Sequence, residues 1–426
     1  MALYIVTDTE LTSIADAIRS KVGLSVGLTY PDDFVSVIDN IAPNVIDNNG
    51  VLDPFLSQTE AVPLIHSTAR CVGGIDAFNN GAWTGVSMDQ CSMIASYAFY
   101  NCQNLSYAYF SKCESIDYYA FGYCPSLASI SFPMAKIINN GVFQNCNALI
   151  SVDLPNCIEI KSSAFQNCSN LESVSLPKCT YIGISAFIGV NKIRVISFPE
   201  CVILESYAFS NCQSVSIVSL PRCESIGADA FRCSGLQELS LPNCSSIGAS
   251  VFQGLSSTHP YMPRVQTFGA HAFKVAKIEE LIHSTSYAVS VQTQAFRDCN
   301  NLSIVSINNV GWIASYAFSG CVSLLTVSLC GQSSTFTIGS GAFSSCILLN
   351  TVYLSNCASI SKSAFLNCFN LNTLYLMGSR ITYIQSSASY EFYINAISSI
   401  YVPSSLYASY TTNNNWRSLS AKFVSI

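Results

Sequence analysis

Charge is scarce in this 426-residue chain: Asp, Glu, Lys and Arg make up 10% of it and leave a net charge of −6. A small negative balance argues against a polyanion such as nucleic acid as partner. Histidine is scarcer still, at 4 residues, which leaves little material for metal ligation or general-base work. Half of the residues are apolar, yet no run of 18 apolar residues exists, so no transmembrane helix is expected. Met1–Leu28 has no basic n-region and is interrupted by Asp8, Glu10 and Asp16, so it does not read as a signal peptide. Neither end carries a lipidation or sorting signal. A Gly-rich phosphate loop, G-x-S-x-G, H-E-x-x-H and C-x-x-C are missing too. No cofactor or metal is implied, and an enzyme is not expected.

What the chain has is a period. Ala-Phe (Val-Phe at 143) recurs so that Phe99, Phe121, Phe143, Phe165, Phe187, Phe209 and Phe231 stand 22 residues apart. Phe252, Phe273, Phe296, Phe318, Phe343 and Phe365 continue with small slips. Such a period marks stacked turns that cannot bury their apolar faces singly. One turn reads Leu171-x-x-Val174-x-Leu176-x-x-Cys179, then Ile182-Gly183, then Ala186-Phe187. This is the template of a leucine-rich-repeat solenoid. The V-x-L alternation predicts one short strand per turn in a parallel sheet, closed by Pro155, Pro177, Pro199, Pro221 or Pro242. Phe of each Ala-Phe pair enters the core from the opposite side of the coil.

Twenty cysteines invite a disulfide or zinc reading, and their spacing decides against both. Cys146, Cys157, Cys168 and Cys179 are 11 apart, half of one turn, which gives two ladders. One of them runs through Cys157, Cys179, Cys201 and Cys223. Adjacent rungs would lie within disulfide range, but parallel Cβ vectors do not face each other. Buried thiols packing as small apolar groups are expected.

Residues 1–41 read as a helical hairpin, with Leu11, Ile14, Ala15 and Ile18 on one stripe and Phe34, Val37, Ile38 and Ile41 on the other. Residues 42–60 read as a linker, 61–402 as about 16 turns, and 403–426 as a C-terminal cap. At about 4.8 Å per step the array would be a rod on the order of 75 Å. The segment 253–265 and an insertion near Ser333–Phe336 fit the template poorly. His66 and His283 sit in identical Leu-Ile-His-Ser-Thr segments, at strand positions that other turns fill with Leu. They read as core-edge residues with a local hydrogen bond.

The motif Ala-Phe-x-x-Cys-x-x-Leu-x-x-Val-x-Leu-Pro-x-Cys-x-x-Ile-Gly resembles the BspA-like leucine-rich repeats of bacterial surface proteins over most of 61–402. That resemblance implies a right-handed solenoid acting in adhesion at the cell surface or outside the cell. Leu11–Arg19 followed by Tyr30–Asp39 resembles a small module of prophage tail-associated proteins. It implies an alternative: a receptor-contact protein of a phage particle, docked to a partner through residues 1–41.

Candidate chemistry is sparse. His259 and His271 are twelve apart, with no carboxylate or Cys beside them in the sequence, and make a weak metal pair. Asp153 and Glu172 could meet across turns, and otherwise belong to a solvated surface. What remains is the strand face. The residue between the last two apolar positions points outward, and is Ser131, Ser175, Ser197, Ser219, Ser240, Ser306 or Ser328 through the middle. It becomes Tyr109 near one end, with Tyr107 beside it, and Tyr353, Tyr375 and Tyr401 at the other. Tyr and Ser on a strand either pack across it for stability or form a hydrogen-bonding contact surface. The second reading predicts a protein or glycan ligand.

Overall fold

The computed structural model describes residues 78, 79, 81, 83–232, 235–332, 335–361, 363–385 and 397–426, with the backbone of four short strands before them. It is a parallel β-solenoid whose turns follow the expected repeat. Two compact units divide the chain: Met1–Cys201 with Ala208–Val215, and Val202–Tyr207 with Ser216–Ile426.

In the first unit the expected strand is present in each regular turn. Ser151–Asp153 pairs in parallel with Ser173–Ser175, Val152 opposite Val174. Val152 is buried while Ser151 and Asp153 are exposed, as period two requires. Each turn also carries a second strand that the alternation does not announce. Glu159–Ile160 pairs in parallel with Ile137–Ile138 and with Tyr181–Ile182. The Ala-Phe side is laddered as well: Phe121 N donates to Val142 O at 2.9 Å, Phe143 N to Ala164 O at 2.8 Å, and Phe165 N to Ala186 O at 2.8 Å. Left-handed residues flank the Ala-Phe pair in each of these turns, such as Tyr97 and Asn101, or Ser163 and Asn167. Asn suits that conformation because its short polar side chain tolerates it.

The core is an aromatic stack. Ring centroids of Phe99, Phe121, Phe143, Phe165, Phe187 and Phe209 follow each other at 5.0, 5.6, 5.3, 5.1 and 4.9 Å. All six are fully buried. Small Ala (Val at 142) beside each Phe lets the turns approach at strand spacing. Before the regular turns, Ile65–His66 pairs in parallel with Gly85–Ser87. The two histidine segments are not equivalent, however. His66 lies opposite Ser87, an outward position, whereas His283 lies opposite inward Ile307. Within the expected linker, Val45–Ile46 pairs antiparallel with Leu52–Asp53. The helical hairpin read into residues 1–41 lies outside the described residues.

The second unit repeats the plan with longer strands. Where Pro follows the last apolar residue, as at Pro242, the strand has three residues, Glu238–Ser240. Where Cys330, Ser355 or Met377 stands there, the strands Thr326–Cys330, Thr351–Ser355 and Thr373–Met377 have five. Proline withdraws the donor that would extend the ladder. The poorly fitting segment 253–265 keeps the rung: Tyr261 bridges Ser240, and buried Met262 takes the inward place of Leu241. At the insertion near 333–336 the register slips between Phe336 and Thr337. The expected cap is itself a last rung. After Ser399–Val402 the chain makes a short helix, Tyr407–Thr412, and a 3-10 segment, Asn414–Lys422. It then returns as Phe423–Ser425, parallel to Ser399–Val402. Among the described residues no helix is long and apolar enough to cross a membrane.

Candidate recognition surface

The strand face of the second unit is one in-register column. Ile282, Ser306, Ser328, Tyr353, Tyr375, Tyr401 and Val424 lie opposite one another in that order. The tyrosines stack face to face, with centroids 4.1 Å apart for Tyr353–Tyr375 and 4.7 Å for Tyr375–Tyr401, near parallel at 9° and 13°. Parallel pairing forces this geometry, because identical positions recur at strand spacing. A hydrogen bond to Tyr353 raises the Tyr375 phenol above its ordinary value. Two residues before Ser328 and each tyrosine stands a hydroxyl column, Thr326, Thr351, Thr373 and Ser399. The result is a flat aromatic strip with hydrogen-bonding groups along one side.

Tyr107 and Tyr109, in the first unit, share one strand and sit 5.0 Å apart at 33°. They form no comparable stack, since the rungs on either side offer Ser87 and Ser131 opposite Tyr109. Tyr109 is held by its hydroxyl at 3.1 Å from Ser129 Oγ. Tyr107 lies over Gly85, where any Cβ would meet its ring.

A second aromatic group escaped the sequence reading. Tyr97 stacks on Tyr119 at 5.4 Å, Tyr97 meets Tyr100 edge-on at 5.4 Å, and Tyr100 meets Tyr123 at 5.4 Å. These residues flank the Ala-Phe pairs of two turns. The visible signal was Tyr97-Ala-Phe-Tyr100 followed by Tyr119-Ala-Phe-Gly-Tyr123.

The candidate titratable pairs are not assembled. His259 Nε2 is 3.7 Å from Glu279 Oε2 on the surface, while His271 bonds Gln294 Oε1 at 3.1 Å. Glu172 N bonds Ile150 O, three residues along from Asp153, and its carboxylate faces Lys192 at 3.5 Å. Among the described residues no group of His, Cys, Asp and Glu is placed to hold a metal ion.

No disulfide joins the described cysteines, and all of them but Cys330 are buried. Each ladder has its own bond. After Ala-Phe, the thiol donates back to the previous turn: Cys124 to Phe99 O at 3.0 Å, Cys146 to Phe121 O at 3.1 Å, Cys168 to Phe143 O at 3.1 Å. After the strand, it donates forward two residues: Cys157 to Glu159 O, Cys179 to Tyr181 O and Cys223 to Ser225 O. Cys201 is fully buried in that second ladder. Burial pushes the Cys146 and Cys212 thiols up to about 12, so neither is a nucleophile at neutral pH.

His283 is buried and bonds Val265 O through Nε2, as the core-edge reading expects. Burial depresses its pKa below the ordinary 6.5. As pH falls below 6.5 the unfolded chain binds a proton that the folded chain refuses. Stability from this site is therefore full above 6.5 and is lost as pH falls toward the folded value. His283→Leu installs the residue type of Leu329, Leu354 and Leu376 in the same column. It removes this slope while leaving Val265 O without its donor at every pH. In urea melts at pH 7.5 and 5.0, the wild type should lose more midpoint than His283→Leu. Equal losses would contradict the assignment.

The family model for the BspA type leucine rich repeat region matches residues 92–216, 158–279 and 266–395. No curated protein matches the chain. Among solved structures, a leucine-rich repeat protein from Bacteroides ovatus is 22% identical, with a TM-score of 0.48, over 79% of this chain and 88% of its own. A leucine rich cell surface protein from Faecalibacterium prausnitzii is 20% identical, TM-score 0.33, over 75% of this chain and 84% of its own. The pneumococcal vaccine antigen PcpA is 16% identical, TM-score 0.35, over 87% and 89%. The prophage tail resemblance read into the N-terminus finds no support in these matches.

Proposed function

Because this chain belongs to the BspA-type leucine-rich-repeat family, we propose that it is a non-catalytic recognition or adhesion protein at a bacterial surface. Repeat solenoids of this kind typically serve as interaction scaffolds, built on extended faces. The observation that carries the reading is the stacked strip Tyr353–Tyr375–Tyr401 beside its column of hydroxyls. Stacked rings lose little conformational freedom on binding and offer area together with hydrogen bonds. Tyr107 and Tyr109 form a lesser contact of the same composition. The ligand is a protein or a glycan laid along the strand face, and no cofactor takes part.

The test is a binding screen of the whole chain against glycans and host proteins, repeated with Tyr353, Tyr375 and Tyr401 all changed to Ala. Hot-spot residues, among which Tyr is enriched, cost at least about 2 kcal/mol each when truncated. Affinity for the screened ligand should therefore fall at least about a hundredfold. Cross-strand pairs on an exposed face contribute only about 0.2–1 kcal/mol each to stability, so the triple variant should stay folded. Unchanged binding by a folded triple variant would remove the strand face from the function.

A further inference from the structure

The strand face leaves unexplained a recess on the loop side of the second unit, between the first and second strands of successive turns. Its floor has two columns. Ser245 N bonds Glu224 O at 2.9 Å and Gln266 N bonds Ser245 O at 2.8 Å, which aligns Glu224, Ser245 and Gln266. Two residues earlier in each turn stand Arg222, Asn243 and Arg264. The recess has a volume of about 650 Å³, within the usual range of about 300–1,000 Å³ for small-molecule sites.

An insertion builds its end wall. Leu241 to Ile247 and Met262 to Phe268 are steps of six residues; His283 to Val291 is a step of eight. The two extra residues push Ser284–Tyr287 out over the preceding turns. The next turn fixes that wall. Asn308 Oδ1 accepts from Thr285 N at 3.1 Å, and Asn308 Nδ2 donates to Ser284 Oγ at 2.6 Å. Buried Asn309 donates to Ser286 O at 3.1 Å. Tyr287 stays 63% exposed at the rim, its ring open to a ligand.

The lining specifies a ligand by what it must satisfy. Two guanidiniums, Arg222 and Arg264, line one recess in a chain of net charge −6. Arg264 is exposed and makes no ion pair among the described residues. Guanidinium forks match carboxylates and phosphates. The remaining lining includes the acceptor-bearing groups of Glu224, Asn243 and Gln266, which a phosphate dianion cannot satisfy and hydroxyl donors can. Apart from Pro263 and the Tyr287 ring there is no apolar wall for a peptide side chain. We infer that this recess binds a sugar carrying a carboxylate, its acid on the Arg222–Arg264 side, its hydroxyls on the floor and its ring against Tyr287.

The full chain is titrated with the methyl glycosides of glucuronic acid and N-acetylneuraminic acid, and separately with methyl glucoside and inorganic phosphate. Heat or NMR shifts report binding. At least one acidic sugar should bind saturably at millimolar concentration, and methyl glucoside and phosphate at least about tenfold more weakly. Arg264→Gln should weaken the acidic sugar at least about tenfold, and added salt should do likewise. The triple tyrosine variant of the strand face should bind it as the wild type does, which separates this site from that surface. No saturable binding of either acid, equal binding of the neutral sugar, phosphate binding as tight, or an unaffected Arg264→Gln would each overturn the assignment.

Discussion

Phe296→Ala should lower the stability of the second unit by about 4 kcal/mol, the usual range for a buried Phe being about 3–5. Phe296 is fully buried and sits 5.1 Å from Phe273 and 5.2 Å from Phe318, nearly parallel to both at 2° and 7°. Phe268 meets it edge-on at 5.2 Å. Removing the ring deletes transfer energy, leaves a cavity and breaks three aromatic contacts of about 0.5–1.5 kcal/mol each. The backbone ladder limits collapse into the void, because Phe296 N is tied to Ala317 O at 2.8 Å and Phe273 N to Ala295 O at 2.7 Å. Each turn rests on its neighbours, so the loss concentrates in the adjoining turns rather than spreading evenly. Urea melts would give the size, and amide hydrogen exchange the place, with protection falling most at Phe273, residue 296 and Phe318. Phe296→Leu keeps much of the volume without the ring and should cost roughly 1–2 kcal/mol. Ser306→Ala, on the exposed strand face, should stay within about 0.5 kcal/mol. A Phe296→Ala loss as small as the Ser306→Ala change would mean that the stack does not hold the turns together.

That ladder was legible because one residue type recurs at one interval and the interval exceeds any helix or strand period. The tyrosine strip was legible for the same reason: Tyr353, Tyr375 and Tyr401 fall on the outward position of a V-x-L strand. The second strand was not. Glu159–Ile160 contains one inward residue, Ile160, and two residues show no alternation. It exists because Ile137–Ile138 and Tyr181–Ile182 lie alongside. The Tyr97–Tyr100–Tyr119–Tyr123 group was hidden because Tyr97, Tyr119 and Tyr123 adopt left-handed backbone, where Tyr is not expected. Gly141 makes that possible beside Tyr119, since a Cβ there would lie 2.3 Å from the ring. The histidine segments misled for a related reason. Identical Leu-Ile-His-Ser-Thr segments take registers one residue apart, and register is set by the partner strand as well as by local sequence. The recess by Arg264 depends on a length difference between turns, which no single turn displays.

Trp416→Ala should open the C-terminal end of the array. Trp416 is fully buried and packs edge-on against Tyr410 at 6.1 Å and Phe423 at 5.8 Å. Its Nε1 donates to Thr382 O at 2.8 Å, while the Tyr410 hydroxyl accepts from Thr382 N at 2.8 Å. Thr382 is itself buried and donates through Oγ1 to Cys357 O at 2.9 Å. The cap therefore fills the end of the core and also satisfies the backbone of the turn beneath it. Truncation costs about 3–5 kcal/mol for the large side chain, and a stranded Thr382 carbonyl adds about 1–3. A loss of that size is enough to release Phe423–Ser425 from Ser399–Val402. The uncovered strand, Ser399–Val402, carries Tyr401 and an unpaired ladder edge, a template for pairing with another chain. The expected result is a shift to species larger than the wild type in light scattering, with proteolysis beginning inside 403–426. Trp416→Phe should keep the packing and lose the Thr382 bond, giving a smaller shift. If the strand face is the proposed contact surface, the alanine variant should also bind more weakly there, because Tyr401 loses the rung that braces it. A variant that keeps the wild-type size and protease resistance would show that the turns close their own end, and that 403–426 is not needed as a cap.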